Sequence, residues 1–305
     1  MSPRLTIIGY HNVEATHYFD APAGQGTRGF RQQLQLLRRA MNVIELGTAV
    51  RAWAEGRQLP MRSVCITFDD GYRDSLDLAA PMLEEYSLPA TFFLVPAFVS
   101  GESHAWWERL SWCVLGASAS VLHWRDRVIP LRERASRVDV VEQLAAGLKM
   151  LSRREREDAV EEMVEQLVPV GPPYREDLFL DWDQSRSLVR RGFEVGSHSY
   201  FHAILARETQ AEQEHDLARS KKVLEHELDA PIEGLAYPNG EHGDFTTGTS
   251  DALRRAGYTH AVTTIPGLNR RTTPPFELRR VVISPATGLR GLLEGLARTW
   301  KPRRT

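Results

Sequence analysis

The amino-acid sequence predicts an α/β fold, an irregular (β/α) barrel of about seven strands with a mainly helical insertion. Short runs of continuous apolar residues, typical of strands buried on both faces, alternate with segments of helical periodicity. This alternation implies parallel pairing through right-handed crossovers. Polar clusters also follow directly on the ends of several apolar runs, and active sites of barrels are built at the carboxyl ends of the strands.

The composition is that of an ordinary globular chain. It has 305 residues, of which 42% are hydrophobic and 26% charged, and a formal net charge of -2, so no nucleic-acid partner is expected. With only two cysteines, a disulfide framework is not expected. The first residues lack the apolar core of a signal peptide, and no stretch approaches the roughly 18 apolar residues of a membrane span. We therefore expect a cytoplasmic protein without stable membrane insertion, and the sequence identifies no protein partner.

The first predicted strand, residues 5–10, ends in a polar segment that contains His11. The helix that follows has apolar residues at i, i+4, i+7 and i+11, namely Phe30, Leu34, Leu37 and Met41. A short strand at 42–46 and a helix at 48–55 lead to the most hydrophobic strand, 63–68. Gly71 permits a sharp turn after it, and apolar spacing predicts a helix at 72–85 before the strand at 90–96.

Residues 100–180 interrupt the alternation and are interpreted as an insertion. They contain a tryptophan-rich segment, a hairpin around Arg125 and Asp126, and two charged amphipathic helices. The second of these helices opens with Ser152 and Glu155, a capping box. The insertion is a lid, a small subdomain or an interaction surface. Its tryptophans are interpreted as core residues rather than as a platform for a sugar: Trp106, Trp107 and Trp112.

The alternation resumes at Asp181, the predicted N-cap of a helix at 182–191 that Gly192 ends. Further helices are predicted at 208–228 and at 250–256, the second of which ends at Gly257. The remaining strands are short apolar runs at 193–197, 232–237, 258–264 and 279–283.

Two adjacent carboxylates, Asp69 and Asp70, follow the central strand. Because neighbouring carboxylates repel each other, such a pair indicates a shared metal ion or proton, although Asp70 could instead cap the next helix. His198 and His202 follow another strand and would share one face if their loop turned helically. Two imidazoles and one carboxylate suit Zn²⁺ and leave a coordination position open. The alternative is a pair of capping or core histidines.

TFDDG at 67–71, together with H-S-x-x-H at 198–202, resembles the polysaccharide deacetylase family, the NodB homology domain of carbohydrate esterase family 4. Further stretches are similar to its bacterial exopolysaccharide branch: GYHNV, PATFFLVP, WDQSRSL, LAYPNG, AVTTIPGLN and FELRRVVI. The resemblance runs over most of the chain. It implies a NodB-like barrel in a single domain, residues 1–305, that contains the 100–180 insertion.

The resemblance also implies roles for individual residues. Asp70, His198 and His202 would bind a divalent metal, with Zn²⁺ favoured and Co²⁺, Ni²⁺ or Mn²⁺ as alternatives. Asp69 would be the general base that takes a proton from a metal-bound water as the water attacks an N-acetyl carbonyl. A backbone N–H near Tyr237, in the loop with Pro238 and Asn239, would complete an oxyanion hole and contact the substrate.

The chain departs from the family pattern at two points. Ala236 stands where the third motif has an arginine that orients the base, so Arg279 or Arg280 is assigned this role, with Arg279 as the first choice. The late Leu-x-His motif that supplies a general acid is missing. His11 is the candidate for protonating the leaving amine, and His260 is the weaker alternative because it lies within a predicted strand.

The predicted function is therefore metal-dependent hydrolysis of N-acetyl groups from an amino-sugar polymer or a glycan precursor. One alternative keeps the site and changes the acyl group, as in the hydrolysis of a formamide or of another amide that is not part of a polymer. Another is a catalytically impaired carbohydrate-binding protein. The presence of Asp69 argues against the latter, because a protein that only holds a metal needs Asp70 but not a base.

Overall fold

A computed structural model describes residues 4–19, 21–172 and 174–300 of the chain. The strands, in chain order, are β1 (Leu5–Tyr10), β2 (Asn42–Val43), β3 (Ser63–Phe68), β4 (Thr91–Leu94), β5 (Val121–Trp124), β6 (Arg127–Pro130), β7 (Glu194–Ser197), β8 (Gly234–Ala236), β9 (His260–Val262) and β10 (Val281–Val282). The helices are α1 (Gln25–Ala40), α2 (Leu46–Ala54), α3 (Ala80–Glu85), α4 (Pro96–Val99), α5 (Trp106–Leu115), α6 (Arg134–Leu148), α7 (Arg153–Leu167), α8 (Trp182–Arg190), α9 (Gln210–Leu228), α10 (Thr247–Ala256) and α11 (Gly288–Trp300).

The main sheet is a curled, fully parallel sheet with the strand order β10-β1-β3-β4-β7-β8-β9, and β2 pairs beside β3. The seven consecutive strands of this order form a half-barrel surrounded by helices, which confirms the predicted fold class. The central strands are buried along their whole length, β1 and β3 without exception, as their continuous hydrophobicity predicted.

Main-chain hydrogen bonds join the end of β9 to the segment that leads into β10. Thr263 donates its N–H to the carbonyl of Leu278 at 2.8 Å, and Arg280 donates its N–H to the carbonyl of Ile265 at 3.1 Å. The two edges of the curled sheet are therefore linked on this side, and residue 280 is carried towards the barrel interior.

Residues 100–180 contain α5, the hairpin β5–β6, α6 and α7, and they share a hydrophobic cluster separate from that of the sheet. The hairpin turns at Arg125 and Asp126 as predicted. The capping box at the start of α7 is formed, because Ser152 and Glu155 each bond to the other's backbone N–H. Across the ranges that the structure describes, no helix is long and apolar enough to cross a membrane.

Two helical segments differ from the prediction. The predicted helix at 72–85 begins instead with a π-helical turn, Ser75–Ala79, before α3. The C-terminal helix α11 was not predicted at all, because its glycines lower helix propensity. Gly295 is needed there: a Cβ at this position would lie 2.8 Å from Ile283 Cδ1, so the glycine lets α11 pack closely on β10.

Candidate active site

The carboxylate pair lies on a left-handed turn directly after β3. Asp70 and Gly71 have φ angles of 69° and 76°, a conformation that is unusual for an aspartate and ordinary for glycine. The turn leaves both carboxylates at the carboxyl end of the strand, with Asp69 2% and Asp70 1% exposed. Two charges this deeply buried require compensation from their surroundings.

Asp70, His198 and His202 converge on one point. Asp70 Oδ1 lies 3.3 Å from His198 Nε2 and 3.3 Å from His202 Nε2. An ion held tetrahedrally at about 2.0–2.1 Å separates its ligand atoms by about 3.4 Å, so the spacing fits a small divalent cation. A helical turn of this loop was the condition under which the two histidines were expected to share a face. The loop is not helical, yet it brings the two imidazoles to the same point.

Hydrogen bonding leaves the inward-facing atoms of this cluster free for a metal. His198 Nδ1 lies 2.7 Å from the carbonyl of Ala236 and donates to it, which turns the Nε2 lone pair towards Asp70. Asp70 Oδ1 is buried with no hydrogen-bond partner among the described residues. Burial lowers the pKa of His202 to about 4, so its imidazole is neutral at pH 7. Burial also opposes the charged form of His198, but the carboxylates of Asp69 and Asp70 raise its pKa above the usual value, and the same negative field attracts a cation.

The loop that carries the histidines is held by a residue that sequence reasoning missed. Asp216, on α9, accepts the N–H of Tyr200 at 2.8 Å and that of Phe201 at 3.2 Å. Ser199 and His202 both have positive φ angles, 60° and 55°, so the loop is strained and depends on such bonds. The sequence showed only an acidic residue on a charged helix.

Arg280 forms a bidentate ion pair with Asp69. Its Nη1 lies 2.6 Å from Asp69 Oδ1 and its Nη2 lies 2.5 Å from Oδ2, and both side chains are buried. The Arg280 guanidinium also donates to Thr67 Oγ1 and to the carbonyl of Thr263, each at 3.1 Å. Burial alone would raise the pKa of Asp69, but Arg280, together with His198 and His11, holds the pKa below its ordinary value.

The first choice of Arg279 for this position is therefore corrected to Arg280. The Arg279 side chain lies against Gly267 and borders a different cavity, with His242 and Glu277. Neighbouring residues of an extended segment point to opposite sides, so only one of the two arginines can face the barrel interior. The sequence contained both and no signal to choose between them.

A cavity of about 270 Å³ opens above the cluster. Residues from three parts of the chain line it: the strand ends, the loop with Tyr18 and Phe19, and the insertion, which contributes Trp106, Trp107 and Lys149. The two tryptophans are buried, as interpreted, yet they also form a wall of the site, and the Trp107 ring lies 4.5 Å from that of His202. Both tryptophans therefore belong to the hydrophobic core and also line the site. Residue type alone predicted only the first of these roles.

His11 lines the same cavity, whereas His260 does not. His260 lies at the amino end of β9, the opposite end from the site, with its Nε2 buried against Gly234. Burial lowers the pKa of His260 to about 4. Of the two histidines considered for protonating a leaving group, only His11 is positioned to face a substrate.

Of residues 237–239, which follow β8 directly, only one has a main-chain N–H that is free within the described part of the chain. Tyr237 uses its N–H on the carbonyl of Val262 at 3.0 Å and its hydroxyl on that of Phe276 at 3.0 Å, and Pro238 has no N–H. The N–H of Asn239 has no hydrogen-bond partner within the described part of the chain, and Asn239 lines the cavity. The donor expected near Tyr237 is therefore that of Asn239, whose φ is 61°.

A parallel half-barrel with paired carboxylates and imidazoles at its strand ends is suited to metal-assisted hydrolysis. The sequence matches the family model described as polysaccharide deacetylase over residues 56–261, and the chain belongs to that family. It is accordingly a hydrolase that acts on carbon–nitrogen bonds other than peptide bonds.

The chain is also similar to individual known proteins. YxkH of Bacillus subtilis (strain 168), a candidate polysaccharide deacetylase, is 20% identical over 283 residues, which cover 92% of this chain and 72% of YxkH. The deacetylase PplD of Streptococcus pyogenes, solved with acetate, has a similar fold, with a TM-score of 0.63, 18% identity and coverage of 99% of this chain and 100% of PplD. IcaB of Ammonifex degensii has a TM-score of 0.57 and 21% identity, with 94% of each chain covered.

Proposed function

We propose that this protein removes N-acetyl groups from an amino-sugar polymer or glycan precursor, with a divalent cation held by Asp70, His198 and His202. The observation that carries the proposal is the convergence of three ligand atoms, 3.3 Å apart in two pairs, beside a second carboxylate clamped by arginine. Family membership supports the reaction class. The N₂O donor set favours Zn²⁺, with Co²⁺, Ni²⁺ and Mn²⁺ as alternatives.

When bound, the cation supplies Lewis acidity that polarises an acyl oxygen and lowers the pKa of a coordinated water. Asp69 is the general base of the proposal. Its carboxylate lies 4.0 Å from the ligand atom His198 Nε2, so it borders the proposed metal position and would be within reach of a proton on a water held there. Arg280 is a positioning residue: it keeps Asp69 ionised and fixes both of its oxygens.

Two further groups complete the proposed site. The free N–H of Asn239 donates to the oxygen on which negative charge develops during attack on the acyl carbon. His11 donates a proton to the leaving nitrogen, since it lines the same cavity from the end of β1. The aromatic wall formed by Trp106 and Trp107 suits the apolar faces of a sugar ring and of an acetyl group.

The test compares purified wild-type protein with a His198→Ala/His202→Ala variant, in metal content and in acetate release from N-acetylglucosamine oligomers. We expect one equivalent of metal and metal-dependent acetate release in the wild type, and neither in the variant. Metal without acetate, but with formate from N-formyl substrates, would favour the alternative acyl group. Protein that binds no divalent metal under any loading condition would overturn the proposal.

His11→Ala is the matching test of the proton donor. It should retain the metal and lower turnover at saturating substrate by about 10²-fold, the usual contribution of general acid catalysis. The loss should be smaller for substrates whose leaving amine is less basic. Unchanged turnover would remove His11 from the mechanism.

A further inference from the structure

The insertion places a buried carboxylate, Glu108 of α5, between the two sides of the site. Glu108 is 0% exposed and has no cationic partner within 4 Å among the described residues. Burial raises its pKa, although hydrogen bonds offset part of this effect. Burying a carboxylate without a counter-ion costs several kcal/mol of free energy. The hydrogen bonds of Glu108 must therefore offset this cost.

On one side, Glu108 binds the loop at residues 16–19. Its Oε1 accepts the hydroxyl of Thr16 at 2.6 Å, and its Oε2 accepts the N–H of Tyr18 at 3.0 Å. Thr16 Oγ1 in turn accepts the N–H of Phe19 at 2.9 Å. The Phe19 ring lies 5.4 Å from that of His11, so this side of the network ends at the proposed proton donor.

On the other side, Glu108 is linked to the proposed metal ligand His202 through Tyr72 and Trp107. Tyr72, which follows the carboxylate turn, donates its hydroxyl to Glu108 Oε1 at 2.7 Å and accepts Trp107 Nε1–H at 2.8 Å. The ring of Trp107 lies 4.5 Å from that of His202. Because His202 Nδ1 is buried without a hydrogen-bond partner in the described chain, packing against such rings is what orients this imidazole.

We infer that Glu108 is a positioning residue that fixes the loop beside His11 and the Tyr72–Trp107 pair beside His202 relative to each other. The catalytic consequence of this inference rests on the proposed function. The hydrogen bonds of Glu108 are independent of that proposal. The insertion is then an integral part of the site: through Glu108 it fixes one wall of the cavity and one proposed metal ligand. An insertion that acted only as a detachable lid would need no such buried carboxylate.

The test separates the two sides of the Glu108 network, the loop at residues 16–19 and the Tyr72–Trp107 pair. Tyr72→Phe removes the hydroxyl that links Glu108 to Trp107 and should weaken Zn²⁺ affinity about tenfold, while amide exchange in residues 13–19 stays slow. Thr16→Val removes the hydroxyl bonds of this loop to Glu108 and Phe19 but leaves the Tyr18 N–H bond, so it should speed exchange in residues 13–19 and raise the KM, with Zn²⁺ affinity unchanged. Glu108→Gln should show both effects. The matched control is Glu161→Gln, the same change at an exposed position of the insertion, where neither effect is expected.

Zn²⁺ affinity, measured by calorimetry, and amide exchange do not depend on turnover. A wild-type protein that releases no acetate would defeat the proposed function and leave these two readouts to decide on Glu108. Equal loss of thermal stability in all three variants, with wild-type Zn²⁺ affinity in the folded protein, would show a merely structural residue and overturn the inference. If Glu108→Gln does not fold, the opposite responses of the Tyr72 and Thr16 variants still decide.

Discussion

At the scale of single residues, Asp69 shows that a buried carboxylate can receive its cationic partner from different strands. Ala236, on β8, replaces the arginine of the family pattern, and Arg280, next to β10, contacts Asp69 instead. Ala236 is the last residue of β8 and Arg280 immediately precedes β10, so the guanidinium reaches the carboxylate from a different strand. Because a bidentate pair needs one arginine and not a particular strand, the motif was altered without leaving Asp69 unpaired.

Replacing Arg280 with methionine should affect both stability and the pH profile. Asp69 would remain buried without its cation, which costs about 3–5 kcal/mol of unfolding free energy at pH 7. Burial would then raise the Asp69 pKa, so the acid limb of the kcat/KM profile should move to higher pH. Urea unfolding and a pH series of kcat/KM measure the two effects.

Arg279→Met is the matched control for that variant, because it removes the same charge one residue earlier, outside the site. Adding Asp69→Asn to Arg280→Met should restore part of the stability, since a neutral amide is cheaper to bury than an unpaired carboxylate. Equal profiles for the Arg279 and Arg280 variants would show that the pair does not set the Asp69 pKa.

At the scale of elements, the carboxylate of Asp216 fastens the strained histidine loop to α9. Burial raises its pKa to about 6, well above the roughly 3.9 of an unfolded aspartate. The folded state thus holds this proton more tightly than the unfolded state does. Below pH 4 both states are protonated and no penalty exists; as pH rises from about 4 to 6 the penalty of ionising the buried group grows.

We expect Asp216→Asn to remove this pH dependence. The difference in unfolding free energy between wild type and variant should move in favour of the variant by on the order of 2–3 kcal/mol from pH 4 to pH 7. Urea unfolding of both proteins across this range measures it. The variant should also bind Zn²⁺ more weakly, because an amide can accept only one of the two loop N–H groups. A pH-independent difference would contradict the assigned cause.

Elements with strong local signals were predictable, and those that depend on distant contacts were not. The continuous apolar run of β3 and the capping box of α7 carry their information within a few residues. The helix α11 has leucines at helical spacing, but its glycines lower its helix propensity, and packing on α1 and β10 adds to its stability. In the site, the motifs around Asp70 and His198 were visible because each is compact, whereas Glu108 and Asp216 act across the fold and resemble ordinary surface acids in sequence.

At the scale of the whole molecule, the site is assembled from both ends of the chain. His11 follows β1, and Arg280 precedes β10, which pairs directly with β1. The helix α11 then packs on β10 and α1, and it covers the strand that follows Arg280. The last described element of the chain is therefore a support for the proposed general base, although it contributes no residue to the cavity.

Two adjacent leucines of α11 allow this support to be tested. Leu292 is 0% exposed and belongs to the sheet's hydrophobic cluster, whereas Leu293 is 54% exposed. Leu292→Ala should cost about 2–5 kcal/mol of unfolding free energy, and Leu293→Ala less than about 0.5 kcal/mol. Because a loosened α11 frees β10, Leu292→Ala should also lower kcat/KM under conditions where both variants are fully folded. If kcat/KM matches in the two variants while stability differs, α11 stabilises the fold without holding Arg280 in place.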